Sequence, residues 1–81
     1  MERITKEQIN ERAHNVNQRL NRRLAGMSYD RHVQVEFRNG AVALDEYRGT
    51  SCLRTITVGT KREVADFLHA MMVGMDLSRE Q

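Results

Sequence analysis

The chain has 81 residues, no proline, a single cysteine and a formal net charge of +2. A domain of this length buries only about 60% of the surface that its unfolded chain exposes, so its stability margin is thin. The lone cysteine excludes an intramolecular disulfide, and no stretch approaches the roughly 20 apolar residues that a membrane-spanning helix needs. We therefore expect one domain over residues 1–81 of a soluble cytoplasmic protein that has no membrane partner.

The first predicted element is a helix that begins at a capping box. The Thr5 hydroxyl can accept a hydrogen bond from the backbone N–H of Gln8, whose side chain can reach back to the Thr5 N–H. Apolar residues then recur at steps of three and four, which predicts a helix of about five turns with one buried stripe. The stripe consists of Ile9, Ala13, Val16, Leu20, Leu24 and Met27. Gly26 is the expected end of this helix, since glycine readily adopts a left-handed conformation.

One flank of this helix carries the only polarised charge in the chain. Arginine side chains with interleaved asparagines, here Asn15 and Asn17, are groups that bind phosphate oxygens. The alternative interpretation is a solvated helix face, which we favour because the net charge is near neutral and no aromatic platform for base stacking is present. The candidate phosphate-binding arginines are Arg12, Arg19, Arg22 and Arg23.

The middle of the chain changes to a period of two, which predicts strands. Apolar residues alternate with polar ones on both sides of Asn39-Gly40, a pair typical of a two-residue hairpin with a type I′ turn. This loop would pair Phe37 with Val42 and place the apolar side chains of both strands on one face. We expect a bulge near Asp45-Glu46, because the alternation does not continue beyond that point.

A third strand is expected after Gly49-Thr50-Ser51. Simple alternation directs Cys52, Ile56 and Val58 to the core face and Leu53, Thr55 and Thr57 to the other. We therefore interpret Cys52 as a buried thiol that behaves as a small hydrophobic side chain. The outer face of the sheet is then polar enough to be solvated, with His32, Gln34, Glu36, Arg38, Ala41, Ala43, Asp45 and Thr57 on it.

A second capping box, Thr60 to Glu63, opens the closing helix, which is expected from Lys61 to about Asp76. Its apolar face consists of Val64, Phe67, Leu68, Met71 and Met75. The predicted fold is thus α+β: an α-β-β-β-α two-layer sandwich in which both helices pack on one face of a three-stranded antiparallel meander.

No constellation of catalytic residues is visible. The three histidines, His14, His32 and His69, fall on three different predicted elements. Asp45 and Glu46 are neighbours along a strand and therefore point to opposite faces. We expect a non-enzymatic protein that has no cofactor, no metal site and no small-molecule substrate.

The closing helix is rich in methionine and has apolar side chains on more than one face. Met72 and Val73 lie at or beyond the edge of its core stripe. Methionine is frequent at binding surfaces, so these two residues are candidates for the contact of a homodimer. The equally weighted alternative is that methionine fills an irregular core.

The order of elements resembles that of the double-stranded-RNA-binding domain, in which a basic pair at the start of the last helix grips phosphates. Lys61 and Arg62 occupy that place here. The sequence departs from that family in its tight Asn39-Gly40 turn and in Glu63 to Asp66, where the family has a further lysine. The resemblance adds Lys61 and Arg62 to the candidate nucleic-acid-binding residues.

A second resemblance extends over about two-thirds of the chain. It is carried by Asn21-Arg22-Arg23-Leu24, Gly59-Thr60-Lys61-Arg62-Glu63, Phe67-Leu68-His69-Ala70-Met71 and Gly74-Met75. This pattern resembles small proteins of unknown function encoded by phages and prophages, and it implies a phage context without implying an activity. We expect an accessory protein that acts by binding another protein, with nucleic-acid binding as the alternative.

Overall fold

The computed structural model describes residues 4–23 and 31–79. Its elements are α1 (Lys6–Arg23), β1 (Arg31–Arg38), β2 (Ala41–Arg48), β3 (Ser51–Gly59) and α2 (Lys61–Arg79). The strands form an open antiparallel sheet in the order β1-β2-β3. This arrangement confirms the predicted α-β-β-β-α fold. The predicted end of α1 at Gly26 lies outside the described residues, and neither described helix is long and apolar enough to cross a membrane.

Both helices begin at the predicted capping boxes. At α1, the Gln8 N–H donates to Thr5 Oγ1 over 3.1 Å, and the Thr5 N–H donates to Gln8 Oε1 over 2.9 Å. At α2, Glu63 and Thr60 make the same reciprocal pair of bonds at 3.1 and 3.0 Å. Each box satisfies two backbone N–H donors at a helix start, where intrahelical acceptors are absent.

The core lies between the helices and one face of the sheet. Burying a side chain such as Leu44 or Leu68 contributes roughly 1.5–3 kcal/mol, so this small set supplies much of the driving force for folding. The two helices and the sheet therefore form the two layers expected from the sequence. The core residues are Ile9, Ala13 and Val16 of α1, Val33, Val42 and Leu44 of the sheet, and Val64, Ala65 and Leu68 of α2.

The first hairpin has the predicted register and a different turn type. Phe37 pairs with Val42, and Val35 pairs with Leu44. Gly40 has a φ of +71°, whereas no described residue other than glycine has a positive φ. A type I′ turn needs positive φ at both central positions, so that prediction is wrong: positive φ at the second position alone is the pattern of a type II turn. The register is unaffected because both turns connect the strands through two residues.

The bulge expected near Asp45-Glu46 is absent from the first hairpin, whose pairing is regular through both residues. The irregularities near these residues are in the pairing of β2 with β3, and the extra residues are in β3. Leu44 pairs with Thr57 and Asp45 pairs with Thr55, so Ile56 is an extra residue between them. A second shift, between Glu46 and Tyr47, makes Leu53 an extra residue of β3 with no paired residue in β2. The alternation of β3 side chains between the two faces of the sheet therefore shifts by one position at each of these two residues.

Because of these two bulges, the prediction of which β3 side chains point to the core is partly wrong. Thr57 lies opposite Leu44 on the helix-covered face, whereas Val58 lies opposite Ala43 on the outer face. Cys52 lies opposite Tyr47 on the outer face and is exposed, so it is not the buried thiol that alternation predicted. Each extra residue shifts the period of two by one position, which moves the residues beyond it to the other face.

Candidate functional site

The arginine flank of α1 is joined to α2. Arg12 Nη1 donates to the Ala65 carbonyl over 3.0 Å. Arg19 forms a two-point contact with the Asp76 carboxylate, from Nε at 2.8 Å and from Nη2 at 3.1 Å, and its Nη1 donates to the Asn15 carbonyl. The Asp76 hydrogen bond raises the pKa of Arg19 above its ordinary value. Arg12 and Arg19 thus connect the two helices, while the side chains of Arg22 and Arg23 lie outside the described part of the structure.

Asn17, which the sequence suggested as a phosphate ligand, bonds to the backbone of the edge strand β1. Its Oδ1 accepts from the Val33 N–H at 2.7 Å, and its Nδ2 donates to the Val33 carbonyl at 2.9 Å. The side-chain amide therefore occupies both backbone groups of Val33, as a neighbouring strand would. This contact covers part of an otherwise open sheet edge. Nothing in the sequence pattern distinguishes Asn17 from the other asparagines of α1.

A cavity of about 510 Å³ lies where both helices begin and β1 turns into β2. We call it the basic cavity, because its lining contains three cationic side chains, Lys6, Arg38 and Lys61, and no carboxylate. The full lining is Lys6, Phe37, Arg38, Asn39, Gly40, Ala41, Val42, Thr60 and Lys61. These cations come from three separate elements and are brought together by the fold.

Two of the three cations are held by neighbouring side chains. Lys6 Nζ lies 5.2 Å from the centroid of the Phe37 ring, within the range of a cation–π contact. Arg38 Nη2 lies 3.1 Å from Glu36 Oε2, and this contact raises the pKa of Arg38 above its ordinary value. Lys61 is exposed and forms no ion pair within the described residues.

The sequence pointed to Lys61 and Arg62 at this end of the molecule and missed Lys6 and Arg38. A signal was present in the predicted topology. In an α-β-β-β-α meander, the first hairpin turn lies at the end of the sheet where the second helix starts. The first helix enters from the same end because it runs antiparallel to β1. Basic residues at these three places could therefore have been grouped from the element order.

The outer face of the sheet contains a polar cluster that is more covered than expected. Asp45 is only 4% exposed and accepts a hydrogen bond from Thr55 Oγ1 at 2.7 Å. The rings of His32 and Tyr47 stack with their centroids 5.5 Å apart. Burial and the neighbouring Cys52 raise the pKa of the Tyr47 hydroxyl. Asp45 and Thr55 are thus hydrogen-bonded to each other, and His32 and Tyr47 contact each other through their rings.

The histidines remain on separate elements. His14 is exposed on α1, His69 is exposed on α2, and His32 is bonded to Gln34 on the outer face of the sheet. Among the described residues, no group of three histidine, cysteine or acidic side chains is placed to hold a metal ion.

Exposed apolar side chains are concentrated on β3 and α2. We call the three on α2, namely Phe67, Val73 and Leu77, the apolar flank. Val73 is 40% exposed, whereas Met72 is partly buried and packs against the core. Within the described residues, the full set of exposed large apolar side chains is Leu53, Val58, Phe67, Val73 and Leu77.

Comparisons with known proteins identify no relative of this chain. No protein-family model, no curated protein and no solved structure matches it.

Proposed function

We propose that this chain is a small non-enzymatic accessory protein, of the kind encoded by phages and prophages, that acts by binding protein and forms a homodimer. The observation that carries the proposal is the distribution of exposed apolar side chains. All five of the large ones among the described residues lie on β3 or α2. Val58 lies on the face of the sheet away from the helices, so the apolar flank of α2 is the surface that supports an interaction site.

The apolar flank extends from Phe67, which lines a groove beside β3, to Val73 and Leu77 on the outer side of α2. At 100° per residue, Phe67, Val73 and Leu77 fall within an arc of about 120°. Ala70 and Gly74 lie in the same arc, so a second helix could approach the backbone closely there. Val64 and Leu68, in contrast, are fully buried on the opposite side of the helix.

The two edge strands of the sheet differ in their backbone partners and in their exposed apolar side chains, and this difference favours an interface at β3. The edge strand β1 has the backbone groups of Val33 occupied by Asn17 of α1. The other edge strand, β3, carries the exposed side chains of Leu53 and Val58. Since a stable dimer buries roughly 800 Å² per chain, we propose an interface that combines the apolar flank with the β3 edge.

Sedimentation of the purified protein at high micromolar concentration tests this proposal. We expect the mass of a dimer for the wild type and a shift toward the monomer for Val73→Asp, because a carboxylate in an apolar interface is strongly unfavourable. Met72→Asp tests the other residue suggested by the sequence. Gln18→Asp is the matched control, since Gln18 is an exposed helical residue on α1.

A wild-type protein that sediments as a monomer would contradict the proposed dimer. If the wild type is a dimer and both Val73→Asp and Met72→Asp remain dimeric, the α2 interface is wrong. Val73→Asp should keep the wild-type circular dichroism spectrum, so that a change in mass is not a consequence of unfolding. Met72 packs against the core, so Met72→Asp bears on the interface only where its spectrum is unchanged as well.

The alternative function, nucleic-acid binding, is favoured by one observation: Lys61 is exposed beside Arg38 and Lys6 at the basic cavity. The contacts of Arg12 and Arg19 with α2 argue against a phosphate-binding run along α1. If the alternative holds, affinity for DNA or RNA falls steeply with salt, and the slope decreases by about one unit for each phosphate contact removed.

A further inference from the structure

We propose that the basic cavity is a binding site for a phosphate group, supplied by a nucleic-acid strand or by a free phosphorylated small molecule. The inference is independent of the proposed dimer, because none of the cavity residues belongs to the apolar flank or to β3. If the phosphate belongs to a nucleic acid, the basic cavity is the site of the alternative function. If it belongs to a small molecule, the inference does not depend on that alternative.

The charge of the lining is the first argument. Lys6, Arg38 and Lys61 all line the cavity, and none of its other lining residues is charged. Glu36 offsets part of the Arg38 charge from outside the lining. Lys6 contacts an aromatic ring, which leaves its positive charge uncompensated, and Lys61 has no ion pair with another described residue. Glu63, whose carboxylate accepts from the N–H of the lining residue Thr60 at 3.0 Å, offsets part of the charge at the start of α2 from outside the lining. The remaining positive charge lies on the two lysines.

A second cavity shows that this arrangement is not general in the molecule. A groove of about 290 Å³ at the other end of the sheet is also lined by two cations, Arg31 and Arg54. There, Glu46 lies in the lining and contacts both arginines, at 3.5 and 2.8 Å. The carboxylate balances that groove, whereas the basic cavity has no equivalent acid in its wall.

Shape and donors match a phosphate group. A volume of about 510 Å³ lies within the range of small-ligand sites and exceeds what a single phosphate needs, so the phosphate would bring an attached group with it. Asn39 and Thr60 in the lining supply neutral donors beside the lysines and the arginine. Both helices start at this end of the fold. The Glu63 carboxylate caps α2, whereas α1 is capped by the neutral Gln8, so the positive end of the α1 dipole adds to the field of the three cations.

The test is a titration of the full-length protein with sodium phosphate, with sodium pyrophosphate and with a mixed-sequence DNA 12-mer, single-stranded and duplex. Sodium chloride at equal ionic strength is the reference. Backbone amide NMR shifts report both affinity and location. We expect saturable shifts centred on Gly40, Thr60 and Lys61 with at least one of these probes.

Single substitutions test whether the phosphate probes bind at the basic cavity. Lys6→Gln and Lys61→Gln should each weaken binding by about tenfold or more, because each removes a charge-assisted hydrogen bond. Arg54→Gln removes the same unit of charge from β3 and should change the affinity by less than about twofold. Thermal unfolding of each variant in chloride verifies that the fold is retained.

Every result bears on the proposal. Stronger binding of the 12-mers than of pyrophosphate identifies a nucleic-acid backbone as the source of the phosphate, and the reverse order identifies a small molecule. The proposal is overturned if no probe gives saturable shifts at low salt. It is equally overturned if Arg54→Gln weakens binding as much as Lys61→Gln, since binding would then follow net charge and not the cavity.

Discussion

Two groups of polar side chains in this molecule have opposite surroundings. The first group, Arg12, Asn17 and Arg19, lies along α1, and each member contacts another element of the fold. The second group is the set of cations around the basic cavity, which lie on three different elements and line the same open cavity. Arg12 and Arg19, which are close together in the sequence, connect α1 to α2, whereas the cations that are dispersed in the sequence line a cavity.

The difference has a physical origin in the position of α1 between α2 and the edge strand. Residues that border the buried stripe of α1 are within reach of its neighbours, so long or amide side chains there can satisfy backbone carbonyls and carboxylates. Helix starts and hairpin turns lie at the ends of the sandwich. Side chains at those places project past the neighbouring elements and remain available to a ligand.

The largest effect is expected from Asn17→Ala. This change leaves the N–H and the carbonyl of Val33 without their partner, and unsatisfied backbone groups of this kind cost about 1–3 kcal/mol of unfolding free energy. Urea unfolding measures the loss. Asn21→Ala is the matched control, because Asn21 is exposed on the same helix and gains the same helix propensity from alanine. Equal stability of the two variants would remove Asn17 from the group that holds the fold together.

A smaller effect is expected from Glu63→Gln at the rim of the basic cavity. The hydrogen bonds from Thr60 lower the pKa of Glu63 below its ordinary value. A carboxylate with a lowered folded-state pKa stabilises the fold above its unfolded pKa, and this contribution is lost as the pH falls through the folded value. The wild type should therefore lose more stability than Glu63→Gln between neutral pH and about pH 2.

The capping box of α1 is a natural comparison for this pH effect. Gln8 has the place of Glu63 there, makes the same two hydrogen bonds and does not titrate. Gln8→Glu should consequently introduce a pH dependence of the same sign at the other helix start. Urea unfolding measures the unfolding free energy of the wild type and of Glu63→Gln at each pH. If the two variants depend on pH in the same way, the Glu63 carboxylate does not contribute to the pH dependence of stability and the prediction is wrong.

The sequence predicted the parts of the fold that depend on local pattern. Capping boxes, the apolar stripe of α1 from Ile9 to Leu20 and the pairing of Phe37 with Val42 each follow from residues close together in the chain, and each is confirmed. The last two residues of the predicted stripe, Leu24 and Met27, lie outside the described residues. The facing of Cys52 was predicted wrongly because the bulges at Leu53 and Ile56 have no signature of their own in the alternation.

The candidate site was predicted less completely, for a different reason. The resemblance to the double-stranded-RNA-binding domain pointed to Lys61 together with Arg62, whereas the arginines of α1 were grouped by their closeness in the chain. Lys6 and Arg38 join Lys61 only through the topology of the sandwich. The partner of each α1 arginine is likewise distant in the sequence: Ala65 for Arg12 and Asp76 for Arg19.

The most direct test of the division between the two groups is thermal unfolding of Arg19→Gln and Lys61→Gln in phosphate and in chloride of equal ionic strength. A ligand that binds only the folded state stabilises it by RT ln(1 + [L]/Kd), so Tm rises with ligand concentration. Arg19→Gln should lower Tm in both salts and keep the wild-type increase in phosphate. Lys61→Gln should keep the wild-type Tm in chloride and lose that increase. If Arg19→Gln loses the phosphate increase while Lys61→Gln retains it, the assignment of the two groups is contradicted.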